Sequence, residues 1–324
     1  MAYTLVEAAK YSNDKLQVGI IEKLVYDDPI FEKLKFKDIK GNGLTYNVET
    51  ALPDINFYSV GETWTEDTHT VTQSTAVTKI MGGDVDVDNF LQVTRGNLQD
   101  ITREAIDEKV KALKKTFYET FWYGNATTNA KKFDGLHTLI ASTTSPYENT
   151  LALGSANTTP TGLNMSELET AIDYIKGFKP QLIVMAKPMR RAINTYLVGV
   201  GGISYGDAAN RRVQTLFEVD VAVSDYLTVT ENVNELYGST YGHQGTTGDG
   251  TTGSDVGTSI FVLNFDDKGC SGLQSMPITI ERIGVLETKD AKRTRIKWYP
   301  SLMLQSIISC SKVTGIDYDG AVAA

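Results

Sequence analysis

NLQDITREAIDEKVKALKKTFYETFWYGN, residues 97–125, is the stretch that decides the fold. Leu98, Ile101, Ala105, Val110, Leu113, Phe117 and Phe121 return at helical spacing and keep one face apolar. Asn97 stands where an N-cap belongs, with Asp100 at the third helical position. Asp100, Glu104, Asp107 and Glu108 crowd the front half, and Lys109, Lys111, Lys114 and Lys115 the back half, which complements the helix dipole. Gly124-Asn125 ends the pattern. The spacing predicts one helix over residues 97–123, a rigid strut of roughly 40 Å.

Upstream, Leu16, Ile20, Ile21 and Leu24 recur near helical spacing until Asp28-Pro29 breaks the pattern, so residues 1–40 read as a partly helical arm. Gly41-Asn42-Gly43 marks a turn, and Leu44–Val48 and Thr75–Ile80 read as two strands. The residues between them, Ala51 to Gln73, carry Pro53, Gly61, many Thr and scattered aromatics: Phe57, Tyr58 and Trp64. Such an excursion has no periodicity with which to bury its own apolar groups, and a compact monomer rarely tolerates one without a function. Its aromatics are better covered by another chain.

Downstream, Ser166–Ile175 reads as a helix capped by Ser166, with Glu169 three residues on. Gln181–Met185 is a buried strand, Lys187-Pro188-Met189 starts a helix through Tyr196, and Val219–Val223 is another strand. Gly238–Gly257, rich in Gly, Thr and Ser, reads as a flexible loop before a strand at Ser259–Asn264. Ile278–Ile283 and Arg293–Tyr299 alternate with period two and predict a hairpin; Leu302–Ile308 follows as a final strand. No repeat of fixed period is present.

The chain of 324 residues is long enough for two domains, or one body with large excursions. No window reaches the roughly 20 apolar residues of a membrane-spanning helix. The first residues lack the basic flank and apolar core of a secretory signal, so synthesis in a cytoplasm is expected. Cys270 and Cys310 have neither CxxC nor His spacing and are expected to be reduced and buried. The net charge of -9 opposes phosphate binding, so a nucleic acid would be enclosed rather than gripped.

The sequence offers few leads to catalysis. Gly202-Ile203-Ser204-Tyr205-Gly206 matches GxSxG, with Asp220, Asp225 and His243 downstream, but His243 falls in the Gly-rich loop and the alternating βα pattern of that chemistry is missing. Asp84-Val85-Asp86-Val87-Asp88 resembles the start of a calcium loop, yet Asn89 and Arg95 stand where Gly and Glu belong, so a strand edge is the better reading. His69, His137 and His243 lack metal spacing, and no phosphate-binding glycine motif occurs. Neither an enzyme nor a cofactor is expected.

Several segments together resemble the major capsid proteins of tailed double-stranded DNA phages, the Hong Kong 97-like family. The order carries the resemblance: an arm, a two-stranded excursion, then a long helix closing on Phe121-Trp122-Tyr123-Gly124-Asn125. Lys132-Phe133-Asp134-Gly135-Leu136, Pro180–Met185 followed by Pro188, Phe217–Asp225, Lys297-Trp298-Tyr299-Pro300 and Thr314-Gly315 follow in the family's sequence of elements. The resemblance implies an α+β fold with an N-terminal arm (1–40), an extended loop (41–80), a peripheral domain with a spine helix (81–159 and 275–299) and an axial domain (160–274 and 300–324).

It further implies hexamers and pentamers tiling an icosahedral shell around DNA, with a portal and, on occasion, a decoration protein. No long segment precedes the arm, so a separate scaffolding protein is expected. An encapsulin-type nanocompartment shell shares the fold and is the alternative. No Lys or Arg occurs between Lys40 and Lys79, so the loop has no amine to give to a covalent cross-link. The expected contact pairs Asp54, Phe57, Tyr58, Glu62, Trp64, Glu66 and Asp67 of the loop with Lys109, Lys111, Lys114, Lys115, Lys131 and Lys132 of a neighbouring copy.

Overall fold

The computed structural model describes residues 29–51, 53–67, 70–90, 93, 101–143, 147–153, 160–202, 204–208, 211–229, 231–232, 256–320 and 322–323. The expected helical stretch around Leu16 to Leu24, the Asn97 cap with Asp100, and most of the Gly238–Gly257 loop lie outside the described residues.

Short helix α1 (Pro29–Lys33) leads into strand β1 (Phe36–Asp38). Pro29 opens this helix, where a first-turn proline needs no N–H partner and already has helical φ. Strands β2 (Gly43–Ala51) and β3 (Thr70–Val77) form an antiparallel ribbon of their own, with β3 starting earlier than Thr75. Then come β4 (Met81–Asp88) and the spine helix α2 (Ile101–Tyr123), 23 residues and about 34 Å long.

Beyond the spine follow α3 (Leu136–Leu139), β5 (Thr150–Ala152), α4 (Met165–Asp173), β6 (Leu182–Met185) and α5 (Lys187–Val200). Strands β7 (Ser204–Ala208), β8 (Arg211–Leu216), β9 (Val219–Val223), β10 (Glu231–Asn232) and β11 (Val256–Leu263) come next. The long hairpin β12 (Cys270–Val285) and β13 (Ala291–Leu304) and the last strand β14 (Ser311–Ile316) complete the fold.

Helix α4 and the last expected strand also differ from their sequence reading. Helix α4 is capped by Asn164 with Glu167 in the reciprocal box, not by Ser166 with Glu169. Both pairs have the right spacing, and the backbone bond from Met165 to Ala323 fixes the earlier start. The expected strand Leu302–Ile308 is divided: Leu302–Leu304 ends β13, a 3-10 turn spans Ile307–Ser309, and β14 begins at Ser311.

A four-stranded sheet runs β1-β12-β13-β4, and an eight-stranded sheet runs β5-β14-β11-β6-β9-β8-β7 with β10 on β11. The β12–β13 pairing continues from Cys270 opposite Leu304 to Val285 opposite Lys292. Domain limits at 274 and 300 therefore fall inside two strands that the hydrogen bonding carries across.

One hydrophobic core lies where the spine helix meets both sheets, and a second lies under α4 and α5. The buried run 182–185 serves both: Leu182 and Val184 point into the first, Ile183 and Met185 into the second. Aromatics knit the first core. Phe117 packs on Trp298 with centroids 4.7 Å apart and on Phe31 at 5.1 Å, Tyr118 stacks on Tyr226 at 4.9 Å, and Trp122 meets Phe261 at 4.9 Å. Arm, spine, long hairpin and eight-stranded sheet thus share one interior.

The turn after the spine is equally tight. A Cβ on Gly124 would sit 2.2 Å from the Phe133 carbonyl, and one on Gly135 2.6 Å from the Thr120 carbonyl. The Gly124-Asn125 and Phe133-Asp134-Gly135 segments are glycine-bearing because two backbones touch there.

Candidate assembly surface

The β2–β3 ribbon is rooted on the body and free at its tip. At the root, Ala76 packs with Leu273 and Met303, flanked by Ile39, Leu44 and Tyr46. The Thr78 hydroxyl bonds to Ser275 at 2.9 Å, and Ser275 donates to the Gly41 carbonyl at 2.7 Å. Burial raises the Tyr46 phenol above its usual range, in keeping with a ring wedged into this junction.

At the tip the burial is reversed. Ile55 is 92% exposed, Phe57 105%, Val60 108% and Trp64 78%. Local bonds shape the tip. The Tyr58 and Trp64 rings stack at 4.8 Å, the Tyr58 hydroxyl meets Thr65 Oγ1 at 2.8 Å, and the Asp54 N–H donates to Asp67 at 2.8 Å. Glu62 accepts the Ser59 N–H at 2.7 Å. Hydrogen bonds from Thr65 hold the Tyr58 phenol below its ordinary value. The excursion is therefore shaped by its own contacts, although its apolar side chains face water. The sequence foresaw the exposure but not the stack, nor the part played by Ile55 and Val60.

The expected lysines sit elsewhere on the body. Lys109, Lys111, Lys115, Lys131 and Lys132 are exposed and Lys114 is half-buried. Lys115 reaches Glu119 on its own helix at 3.8 Å, and Lys109 runs its stem over Gly83 beside Asp84. The structure gathers Asp54, Tyr58, Glu62, Trp64 and Asp67 at the tip and the lysines along the spine and the turn after it. Glu66 and Phe57 are exposed at the same tip.

A second charged surface was read only in outline. Asp84 and Asp86 of β4 stand opposite Arg295 and Arg293 of β13. Each pair is bidentate, with bonds of 2.6 and 2.8 Å for Arg295 and 2.6 and 2.7 Å for Arg293. Lys297 continues the row to Glu281. The guanidinium bonds hold both aspartates below their ordinary range. The alternating carboxylates thus face arginines across an edge strand, and among the described residues no three His, Cys, Asp or Glu side chains converge as metal ligands. Ser204 of the GxSxG match lies in an antiparallel strand rather than at a strand-to-helix elbow, and His243 is outside the described residues. Cys270 and Cys310 are both buried and unbridged.

No protein-family model and no curated protein sequence matches this chain. Solved structures do. The chain is similar to a subunit of the holo-SrpI encapsulin complex from Synechococcus elongatus PCC 7942, with a TM-score of 0.61, 13% identity and coverage of 89% of this chain and 87% of that one. It is similar to the capsid of a native GTA particle, with a TM-score of 0.59, 10% identity and 89% of each chain covered. It is also similar to the capsid structure of the cyanophage P-SCSP1u, with a TM-score of 0.53, 12% identity and coverage of 88% and 87%. These likenesses extend over 87–89% of each chain, and the chain has the Hong Kong 97-like α+β fold.

Proposed function

We propose that this chain is the major capsid protein of a tailed phage, which assembles through hexamers and pentamers into an icosahedral shell around double-stranded DNA. The exposed tip carries the reading: Ile55, Phe57, Val60 and Trp64 face solvent on a ribbon whose root is firmly packed. Apolar groups presented this way are an unfinished interface, and a second copy would complete it. Capsid chains of two particles with the same fold support the choice of copy over foreign partner.

In this reading the tip lies on a neighbour, with its carboxylates toward Lys109, Lys111, Lys114, Lys115, Lys131 and Lys132. Burying one side chain of this kind contributes about 1.5–3 kcal/mol, whereas an exposed ion pair contributes about 0–1 kcal/mol. Apolar contact then holds the lattice and charge sets its register. The peripheral domain is the spine with the four-stranded sheet, and the axial domain is the eight-stranded sheet with α4 and α5. The role is structural rather than catalytic. A scaffolding protein, a portal and a decoration protein are separate partners, assembly takes place in the host cytoplasm, and the product resides in the virion.

The likeness to an encapsulin subunit supports a second reading, a nanocompartment shell. Negative-stain microscopy of the expressed chain, with and without a scaffolding protein, tests the shared part. Closed particles are expected, and soluble monomers under every condition would overturn it. Particle contents separate the two readings, DNA for the first and a protein cargo for the second.

A further inference from the structure

Where the spine helix ends against the eight-stranded sheet, four ionisable side chains from four elements are buried together. They are Tyr123 at the end of α2, His137 of α3, Glu231 of β10 and Lys312 of β14. Glu231, His137 and Lys312 are 1%, 0% and 3% exposed. Glu231 is the hub. Its Oε1 accepts the Tyr123 hydroxyl at 2.5 Å and lies 3.3 Å from His137 Nε2, while Oε2 accepts from Ser259 of β11. Lys312 Nζ donates to the His137 carbonyl at 2.8 Å, and the Tyr123 hydroxyl accepts the Thr228 N–H at 3.1 Å. The Tyr123 and His137 rings stack at 5.0 Å and Phe261 closes the site edge-on.

We propose that these four residues form a proton-responsive latch fastening the end of the spine helix to the eight-stranded sheet. Its groups are fixed by five elements, and one carboxylate is the acidic partner of both nitrogen bases. Protonating Lys312 or His137 charges a base that burial has cut off from water, and one carboxylate can offset only one of the two.

Burial pushes the Lys312 amine from its ordinary 10.5 down to about 7, with Glu231 pulling the other way. Burial likewise lowers His137, opposed by Glu231, and raises Tyr123, which stays a neutral donor. The folded value of Lys312 lies below the unfolded one, so the unfolded chain binds more protons between them. Stability is therefore lost as pH falls from about 10.5 to about 7 and is flat for this group below that. His137 extends the loss below its ordinary 6.5.

Carbon-13 NMR of labelled lysines in dispersed subunits, with Lys312→Met to assign the signal, tests the latch. A lysine signal titrating near 7 is expected in the wild-type chain and should vanish in Lys312→Met; absence of any such signal would overturn the proposal, and that outcome requires only the wild-type chain to fold. Hydrogen exchange at residues 118–125 and 136–140, corrected for the intrinsic rate, should lose protection as pH falls from about 10 to about 7. In Lys312→Met that loss should be absent over the same window. Equal slopes in both proteins, or unchanged protection in wild type, would also contradict it.

Discussion

Phe117, Tyr118, Phe121 and Trp122 of the spine helix are at most 1% exposed, while Phe57 and Trp64 of the ribbon tip are 105% and 78% exposed. Both regions carry large aromatics in a short span. In the spine they fall on faces that α1, β13 and β11 cover, so a single chain buries them. At the tip they sit among Pro53, Gly61 and carboxylates, with no period to align them and, among the described residues, no sheet or helix above. The first region stabilises the subunit; in the proposed reading the second is left for assembly.

The difference can be broken from either side. Phe117→Ala removes a ring that touches Phe31, Phe36, Phe133 and Trp298 and should cost about 3–5 kcal/mol in urea denaturation of dispersed subunits. A loss below about 1 kcal/mol would mean the spine is not the centre of the core. Gly124→Ala drives a Cβ toward two carbonyl oxygens and should cost about 1–3 kcal/mol by the same measurement.

Trp64→Ala sharpens the contrast. Subunit stability should stay within about 0.5 kcal/mol of wild type, while particle yield by sedimentation falls severalfold. Normal yield would remove Trp64 from the interface. With no amine between Lys40 and Lys79, denaturing gels of particles should show one band, and a ladder of multimers would count against a non-covalent tip.

The smallest effect is expected on the β4–β13 face. Replacing Asp84 and Asp86 by Asn should lower the thermal midpoint modestly at neutral pH. Both carboxyls are held low by arginine, so their contribution is complete above the ordinary 3.8 and disappears as pH falls through the lower folded values. Wild type and variant should converge in acid; a difference that persists there would assign the effect to packing.

The spine was legible because one apolar stripe at helical period survives any surroundings. Ile106, Tyr118 and Trp122 were missed as core because they lie beside that stripe, and only tertiary cover from several elements buries them. The run at 181–185 was legible because a strand buried on both faces needs no alternation. The α4 start was not, since Asn164/Glu167 and Ser166/Glu169 offer the same box two residues apart. Of the candidate assembly surface, the sequence revealed the exposed Phe57 and Trp64 but not Ile55 and Val60. It could not reveal the Tyr58–Trp64 stack, the root contacts of Ala76 with Leu273 and Met303, or a cluster drawn from positions 123, 137, 231 and 312. Those depend on residues that meet only after folding.

Hydrogen–deuterium exchange over residues 53–67, compared between dispersed subunits and assembled particles, tests the central claim most directly. The account predicts rapid exchange in the subunit and strong protection in the particle. Protection already present in the isolated subunit, or none gained on assembly, would contradict it.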